Sequence, residues 1–146
     1  MTATDPSAKD SLAAKPVPLV TADTRAFWDA CAEGALTFQR CAACGHVQFP
    51  PRPFCTECRA AGPGTERSAG LGTIHSFTIV HRAPTAAFKA DTPYVLALVD
   101  FDEGFRLMVN LRGCPPADAR IDLRVRVLFE PLAGGGALPQ VRPLVE

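Results

Sequence analysis

Cys41-Ala-Ala-Cys44 and Cys55-Thr-Glu-Cys58 are the stretches that decide the fold of the N-terminal half of this sequence. Ten residues, beginning with Gly45, separate the two pairs. Two residues between cysteines let both thiolates of a pair reach one metal ion, and two such pairs complete a tetrahedral shell of sulfur ligands. We therefore predict one structural zinc site formed by Cys41, Cys44, Cys55 and Cys58.

Other interpretations of the four cysteines are weaker, although iron stays open. Disulfides need an oxidising compartment, which nothing in the sequence indicates. A single CxxC pair is typical of redox motifs, whereas two pairs favour a shared metal. Iron in a rubredoxin-like site would use the same four thiolates. His46 could replace one ligand, but four cysteines already fill the shell. Because a full shell leaves no position for water, we expect the metal to hold structure without activating a substrate.

The composition is that of a globular protein with balanced charge. Of 146 residues, 47% are hydrophobic and 21% charged, with 15 basic and 15 acidic side chains. The clustered positive charge of a dedicated nucleic-acid surface is absent at the level of the domain. The sequence has neither an apolar run of roughly 18 residues nor the start of a signal peptide. We expect a cytoplasmic protein with no membrane partner.

The chain divides by pattern into four parts. Proline and small polar residues predict a flexible arm over residues 1–20. Residues 21–36 predict an N-terminal helix, capped by Thr21 or Asp23 and ending near Gly34, with Phe27 and Cys31 on one apolar face. Residues 37–69 form the ribbon, with short strands at 37–40 and 47–49 and a glycine-rich linker from about 60 to 70. Residues 70–146 predict a β-barrel.

Alternating apolar residues indicate strands at 105–111 and 123–129, each with one buried face. A run rich in Ile, Phe, Thr and Val indicates a strand at 73–82, and a run that is apolar on both faces indicates a central strand at 93–101. A short last strand is expected near 139–144, with a hairpin at Asp102-Glu103-Gly104 and a longer loop at 83–92. Five strands in about 75 residues fit a small closed barrel, because closure removes exposed strand edges. The fold class is therefore mainly β, with an N-terminal helix, a rubredoxin-like four-cysteine zinc ribbon and a five-stranded C-terminal barrel.

The remaining candidate residues give no catalytic set. Cys31 and Cys114 are expected to be small buried apolar residues. His75 and His81 share strand parity, and each is expected to be a packed or exposed strand histidine. No serine or carboxylate lies at a spacing that completes a triad. An independent hydrolase or hydratase that uses either histidine therefore stays a minor hypothesis.

The order of helix, ribbon and barrel resembles the zinc-ribbon OB-fold proteins long known as domain of unknown function 35. The resemblance covers residues 24–145. One departure is Ile121-Asp122-Leu123, where relatives usually carry a glycine turn before the strand. The motifs that carry the resemblance are Phe27-Trp28, Phe38-Gln39-Arg40-Cys41, Phe49-Pro50-Pro51-Arg52, Gly72-Thr73-Ile74-His75-Ser76-Phe77-Thr78, Pro93-Tyr94-Val95-Leu96-Ala97-Leu98-Val99 and Leu138-Pro139-Gln140-Val141-Arg142-Pro143.

The resemblance implies an OB-fold barrel and a non-catalytic role beside an acyl-CoA enzyme. Such a partner would be a thiolase, a thiolase-like aldolase or acyltransferase, or a MaoC-like enoyl-CoA hydratase, in a hetero-oligomer with two copies of this chain. The chain would stabilise the enzyme and contribute to its CoA channel. A groove for CoA needs a few cations, and Arg52, Arg82 and Lys89 are the candidates. The alternative is an OB module that binds single-stranded nucleic acid.

Overall fold

A computed structural model describes residues 15–145, so residues 1–14 of the predicted arm lie outside the described residues. Within residues 15–145, one α-helix precedes eight strands. The elements are α1 (Arg25–Ala32), β1 (Thr37–Arg40), β2 (Val47–Gln48), β3 (Gly64–Arg67), β4 (Leu71–Val80), β5 (Tyr94–Phe101), β6 (Arg106–Leu111), β7 (Arg124–Pro131) and β8 (Ala137–Pro143). A 3-10 helix (Ala86–Asp91) lies between β4 and β5, in the predicted long loop, and another (Pro116–Asp118) lies between β6 and β7.

The ribbon is a three-stranded antiparallel sheet in the order β2-β1-β3. The prediction of a linker from about 60 to 70 is wrong over β3, which pairs with β1 along its whole length from Thr37↔Arg67 to Arg40↔Gly64. All four residues of β3 are exposed, so the strand has no alternating apolar face. This edge strand is held by main-chain hydrogen bonds to β1, which do not depend on residue type, so no side-chain pattern in the sequence indicates it.

The C-terminal half is a closed barrel in the order β4-β5-β6-β8-β7. Its pairings are antiparallel except for β6 with β8, which run parallel. Every second residue of β5 is buried and the residues between them are partly buried, and the buried side chains of all five strands fill the barrel. Five strands in this order form an OB-fold. The fold class predicted from the sequence is confirmed.

The parallel pairing of β6 with β8 is the weakest part of the barrel wall. Its register contains the single pair Leu111↔Val141. Beside that pair, the side chain of Gln140 makes hydrogen bonds in place of those between the two backbones. Its Oε1 accepts the backbone N–H of Asn110 at 2.5 Å, and its Nε2 donates to Asn110 Oδ1 at 3.2 Å. Because Gln140 is only 2% exposed, these bonds satisfy amides that would otherwise be buried without partners.

An aromatic column joins helix, ribbon and barrel into one core. Phe27 of α1 packs edge-on against Phe49 of the ribbon at 5.0 Å between ring centroids. Phe38 of β1 stacks on Phe105 at 4.9 Å, and Phe105 stacks on Phe101 of β5 at the same distance. Such pairs add to the burial energy of each ring. The ribbon is therefore fixed against the end of the barrel where β5 turns into β6.

The helix lies inside the predicted segment but is short. Thr21 closes the turn that leads into α1: its hydroxyl accepts the backbone N–H of Thr24 at 3.3 Å, while Thr24 Oγ1 accepts the N–H of Thr21 at 2.9 Å. This reciprocal pair has the pattern of a capping box in the turn before α1. The N-cap of α1 itself is Thr24, which makes no side-chain cap bond, so the prediction of Thr21 or Asp23 as the helix cap is wrong. Among the described residues, no helix is both long and apolar enough to cross a membrane.

Two local features of the barrel refine the sequence interpretation. The register of β4 against β5 shifts between Ile74 and Ser76, so a bulge at His75 breaks the parity expected for His75 and His81. The turn before β7 forms without glycine, because Asp122 itself adopts φ +71°. Aspartate tolerates this left-handed conformation better than most residues, so the departure from the family pattern changes the residue and keeps the turn.

Candidate metal centre and its surroundings

The four predicted cysteines converge on one point. Their Sγ atoms all lie within 4.8 Å of one another. Cys41 Sγ and Cys58 Sγ are 3.5 Å apart, and Cys44 Sγ and Cys55 Sγ are 3.6 Å apart. A tetrahedral zinc with bonds of about 2.3 Å requires sulfur atoms about 3.8 Å apart. The thiols therefore fit a zinc ion, which would complete its shell with four sulfurs and support the fold without catalysis.

Each cysteine pair belongs to a turn with the same backbone bonds. Cys41 N–H donates to His46 O, and Gly45 N–H donates to Cys41 O. In the second turn, the N–H of Cys55 donates to Ala60 O and that of Arg59 to Cys55 O. The repeat requires a left-handed residue after each pair, at φ +79° for Gly45 and φ +66° for Arg59. The two turns thus aim four thiols at a common centre.

Backbone N–H groups prepare part of the site for metal. The backbone N–H of Cys58, followed by that of Glu57, lowers the pKa of the Cys55 thiol to about 6. The pKa of Cys41 is also lowered, first by the backbone N–H of Cys44. The thiolate is the form that binds zinc, so these donors favour the ligand state. The imidazole of His46 contacts Thr56 Oγ1 at 3.1 Å and is not one of the clustered ligands.

Two buried glutamines bind the backbone of residues 50–56, a loop that leads from the first cysteine pair into the second. Gln39 Oε1 accepts the backbone N–H of Arg52 at 2.9 Å, and Gln39 Nε2 donates to Arg52 O at 3.1 Å. Gln48 donates to Gln39 Oε1 at 2.8 Å and to Phe54 O at 3.1 Å, and it accepts the N–H of Thr56 at 2.9 Å. The amides therefore replace strand pairing for a loop whose prolines cannot donate.

The burial and the hydrogen bonds of these two glutamines were not predicted from the sequence. Glutamine is normally an exposed residue, so its type gives no signal of burial. One signal was present in retrospect: Gln39 and Gln48 each lie on a ribbon strand that faces a proline-rich loop with few donors of its own. Such a loop needs hydrogen-bond partners from side chains.

The three candidate cations do not come together. Arg52 lies on the ribbon, next to the end of the barrel where β5 turns into β6. Arg82 and Lys89 lie in the loop between β4 and β5, beyond Tyr94, the first residue of β5. The eight residues of β5 separate the two ends by about 23 Å. All three side chains are exposed.

A groove crosses the parallel seam of the barrel, at the face where OB-folds bind ligands. We call it the seam groove. Its volume is about 420 Å³. Residues 15–17 line one side, and Lys15 Nζ pairs with Asp91 at 2.5 Å and lies 5.5 Å from the ring centroid of Phe88. On the opposite wall Arg112 is paired with Glu130 at 2.5 Å. The chain therefore covers part of this face with its own N-terminal segment and neutralises the cations there.

The two strand histidines lie outside the barrel. His75 Nδ1 is 3.4 Å from Asp100 Oδ2, and the same carboxylate binds Arg106 Nε at 2.6 Å. Arg106, and after it the charge of His75, lowers the pKa of Asp100. His75 is half exposed, and His81, which follows the end of β4 at Val80, is exposed; neither lines the seam groove. Nothing in this geometry supplies a nucleophile.

The two halves of the chain match two family models. Residues 28–64 match the rubredoxin-like zinc ribbon domain of ChsH2, and residues 65–130 match the C-terminal OB-fold domain of ChsH2. Both matches agree with the site and barrel described above.

Individual relatives extend these matches. The chain is 35% identical over 133 residues to the "Probable enoyl-CoA hydratase alpha subunit" of Thermomonospora curvata, covering 91% of this chain and 41% of that protein. It is 39% identical over 95 residues to a "DUF35 domain-containing scaffold protein" of Methanothermobacter thermautotrophicus, covering 64% of this chain and 71% of that protein. A solved chain of the "Ltp2-ChsH2(DUF35) aldolase" superposes with a TM-score of 0.80 at 35% identity, covering 88% of this chain and all of that chain.

A four-thiolate ribbon fixed to a five-stranded barrel defines a zinc-ribbon OB-fold protein. The scaffold protein and the solved chain are both covered by more than two thirds of their length. The chain belongs to the DUF35 family, as its motifs indicated. It spans about two fifths of the hydratase alpha subunit that it matches.

Proposed function

We propose that this protein is a non-catalytic accessory subunit that binds and stabilises an acyl-CoA-processing enzyme. The observation that carries the proposal is the likeness to the whole of a chain from an "Ltp2-ChsH2(DUF35) aldolase". The name of the hydratase alpha subunit points to the same class of chemistry, and the name of the scaffold protein points to the same kind of role. The partner would be a thiolase, a thiolase-like aldolase or acyltransferase, or a MaoC-like hydratase.

The chemistry of this chain supports an accessory role. The four clustered thiols would fill the shell of a bound zinc ion with sulfur and leave no place for water. Within the described residues, no Ser, Thr or Cys side chain hydrogen-bonds His75 or His81, and Asp100 beside His75 is already bound by Arg106. The hydroxyl that His46 contacts belongs to Thr56, in the second metal turn. A catalytic group would therefore come from the partner.

The nucleic-acid alternative is disfavoured by the seam groove. Single strands bind OB-folds through exposed aromatic rings and unpaired cations. Here Phe88 lies under Lys15, and both Lys15 and Arg112 are bound to carboxylates. Salt-dependent binding of single-stranded RNA or DNA by the isolated chain would restore this alternative.

Acyl-CoA is the proposed shared ligand, and Arg82 and Lys89 are the candidate contacts on this chain. Both are exposed in the loop between β4 and β5, where long cationic side chains reach a neighbouring subunit. Arg82→Ala combined with Lys89→Ala should raise the KM of the complex for acyl-CoA several-fold. Arg67→Ala, on the exposed ribbon edge, is the matched control.

Co-expression tests the central proposal. The full chain is produced with each thiolase-like or MaoC-like subunit encoded beside its gene, and native mass spectrometry reports the composition. A hetero-oligomer with two copies of this chain is the expected result, with acyl-CoA turnover absent from the chain alone. A chain that stays apart from every such enzyme would contradict the proposal.

A further inference from the structure

One aromatic side chain of the ribbon lies outside the hydrophobic core. The sequence contains nine phenylalanines, all within the described residues, and eight of them are buried or partly buried. Phe54 is the exception, at 55% exposure. It lies on the loop that the two glutamines hold. An exposed aromatic ring on a fixed backbone is typical of the residues that carry binding energy in protein interfaces.

Two arginines flank this ring. Arg52 and Arg59 are exposed, and neither forms an ion pair with any residue between 15 and 145. Three other exposed arginines are paired, Arg40 with Glu66, Arg106 with Asp100 and Arg124 with Asp102, whereas Arg82, Arg126 and Arg142 are also exposed without an ion pair among residues 15–145. The charge at the ribbon is therefore available to an external carboxylate.

The backbone at this place is fixed at some cost. Arg59 adopts a left-handed φ that side chains disfavour, while the equivalent position of the first turn is Gly45. Glycine would adopt this φ without that cost, as it does at Gly45 in the first turn. Both backbone polar groups of Arg52 are bound by Gln39, which fixes that residue as well. Pre-organisation of this kind reduces the entropy lost on binding.

A groove of about 510 Å³ opens beside these residues. It runs between the loop and the start of the helical segment, with Thr21, Asp23 and Thr24 on its far wall, so one carboxylate lies in the groove beside the two arginines. We call Phe54, Arg52, Arg59 and this groove the ribbon surface. The surface has an apolar centre and a polar rim, which is the anatomy of a protein interface.

We infer that the ribbon surface docks an acidic face of the partner enzyme, with Phe54 as the apolar anchor and Arg52 and Arg59 bound to carboxylates. The inference rests on the proposed function and assigns to it a contact surface. A second copy of this chain is disfavoured, because a two-fold contact would set the same arginines against each other. Nucleic acid is disfavoured because two cations do not make a track along a backbone.

The test uses the full zinc-loaded chain and the enzyme identified by co-expression. Arg52→Glu combined with Arg59→Glu should weaken the complex about 10- to 100-fold, mainly through a lower association rate with a weaker dependence on salt. Phe54→Ala should weaken it about 10- to 30-fold, mainly through faster dissociation. Arg126→Glu combined with Arg142→Glu makes the same change in charge on exposed residues of β7 and β8 and should alter the affinity less than about 3-fold.

Metal analysis of each variant confirms one zinc per chain, so that loss of binding is not loss of the ribbon. Wild-type affinity in the Arg52 and Arg59 variant would overturn the inference and leave the proposed function standing. Failure of the wild-type chain to bind any such enzyme would overturn both. Self-association of the wild-type chain that these variants abolish would also overturn the inference, because the surface would then join two copies.

Discussion

The side chain of Gln39 binds both backbone polar groups of Arg52, accepting its N–H at 2.9 Å and donating to its carbonyl at 3.1 Å. One side-chain amide thus makes the two hydrogen bonds that the backbone of a neighbouring strand would otherwise make. It fixes a loop of three prolines next to the metal turns. The position of Arg52 therefore depends on a buried glutamine outside the cysteine cluster, and that of Phe54 depends on Gln48, which donates to the same glutamine.

Replacing this amide should loosen the loop selectively. Gln39→Met keeps the length of the side chain and leaves Arg52 N–H and the Gln48 amide without their partner. We expect a loss of about 1–3 kcal/mol in the free energy of unfolding, measured by urea titration, with faster hydrogen exchange in residues 50–56. Thr65→Ala, an exposed residue opposite Gln39 on β3, should change both by little. Equal effects from the two substitutions would contradict this role.

Metal content should follow the four cysteines and no others. We expect one zinc per chain by elemental mass spectrometry, and iron would appear in the same measurement. Cys44→Ser should lose the metal, unfold the ribbon first and lose the partner enzyme, because a ribbon of this size cannot build its own core. Cys114→Ser is the matched control, since Cys114 lies outside the cluster. A Cys44→Ser variant that kept metal and complex would show that the zinc matters less than the geometry suggests.

Stability should decline above pH 9 because of Cys31. Burial raises the pKa of this thiol from 9.0 to about 11, so the folded state favours the neutral form. Its contribution is complete below pH 9, where the thiol is neutral in both states, and is lost as the pH rises through about 11. Relative to Cys31→Ala, the wild type should lose about 2 kcal/mol between pH 8 and pH 11. Urea titrations of both chains check this, and parallel pH curves would refute it.

Gly72 should tolerate no side chain. A Cβ there would lie 2.8 Å from the backbone oxygen of Asp100 and 2.8 Å from Val99 Cγ1. Gly72→Ala should therefore force β4 away from β5 and cost about 1–3 kcal/mol in thermal or urea unfolding. Gly64→Ala is the control, because its Cβ would meet only Arg40 O at 3.5 Å. Equal stability of the two variants would mean that the strands separate without cost.

Most of this fold could be predicted from the sequence, because several of its residue patterns are compatible with only one kind of structure. Alternation from Phe105 to Leu111 can only bury one face of a strand, and two CxxC pairs have few uses other than a metal. The parts of the fold that the sequence did not predict are held by hydrogen bonds of the main chain or of side-chain amides. β3 is exposed on both faces, and Gln39 and Gln140 are of a type that is seldom buried. The bulge at His75 also depends on how β4 bends over β5, which a local pattern does not encode.

A ligand of the seam groove that needs Phe88 or Asp91 would have to displace Lys15, which contacts both and would act as a tethered competitor. A tethered competitor acts at an effective concentration set by the length of its tether, which for short flexible tethers reaches the millimolar range. A free ligand of the groove would therefore bind with an apparent affinity below its intrinsic one. A chain shortened to begin at Thr21 would expose the intrinsic value.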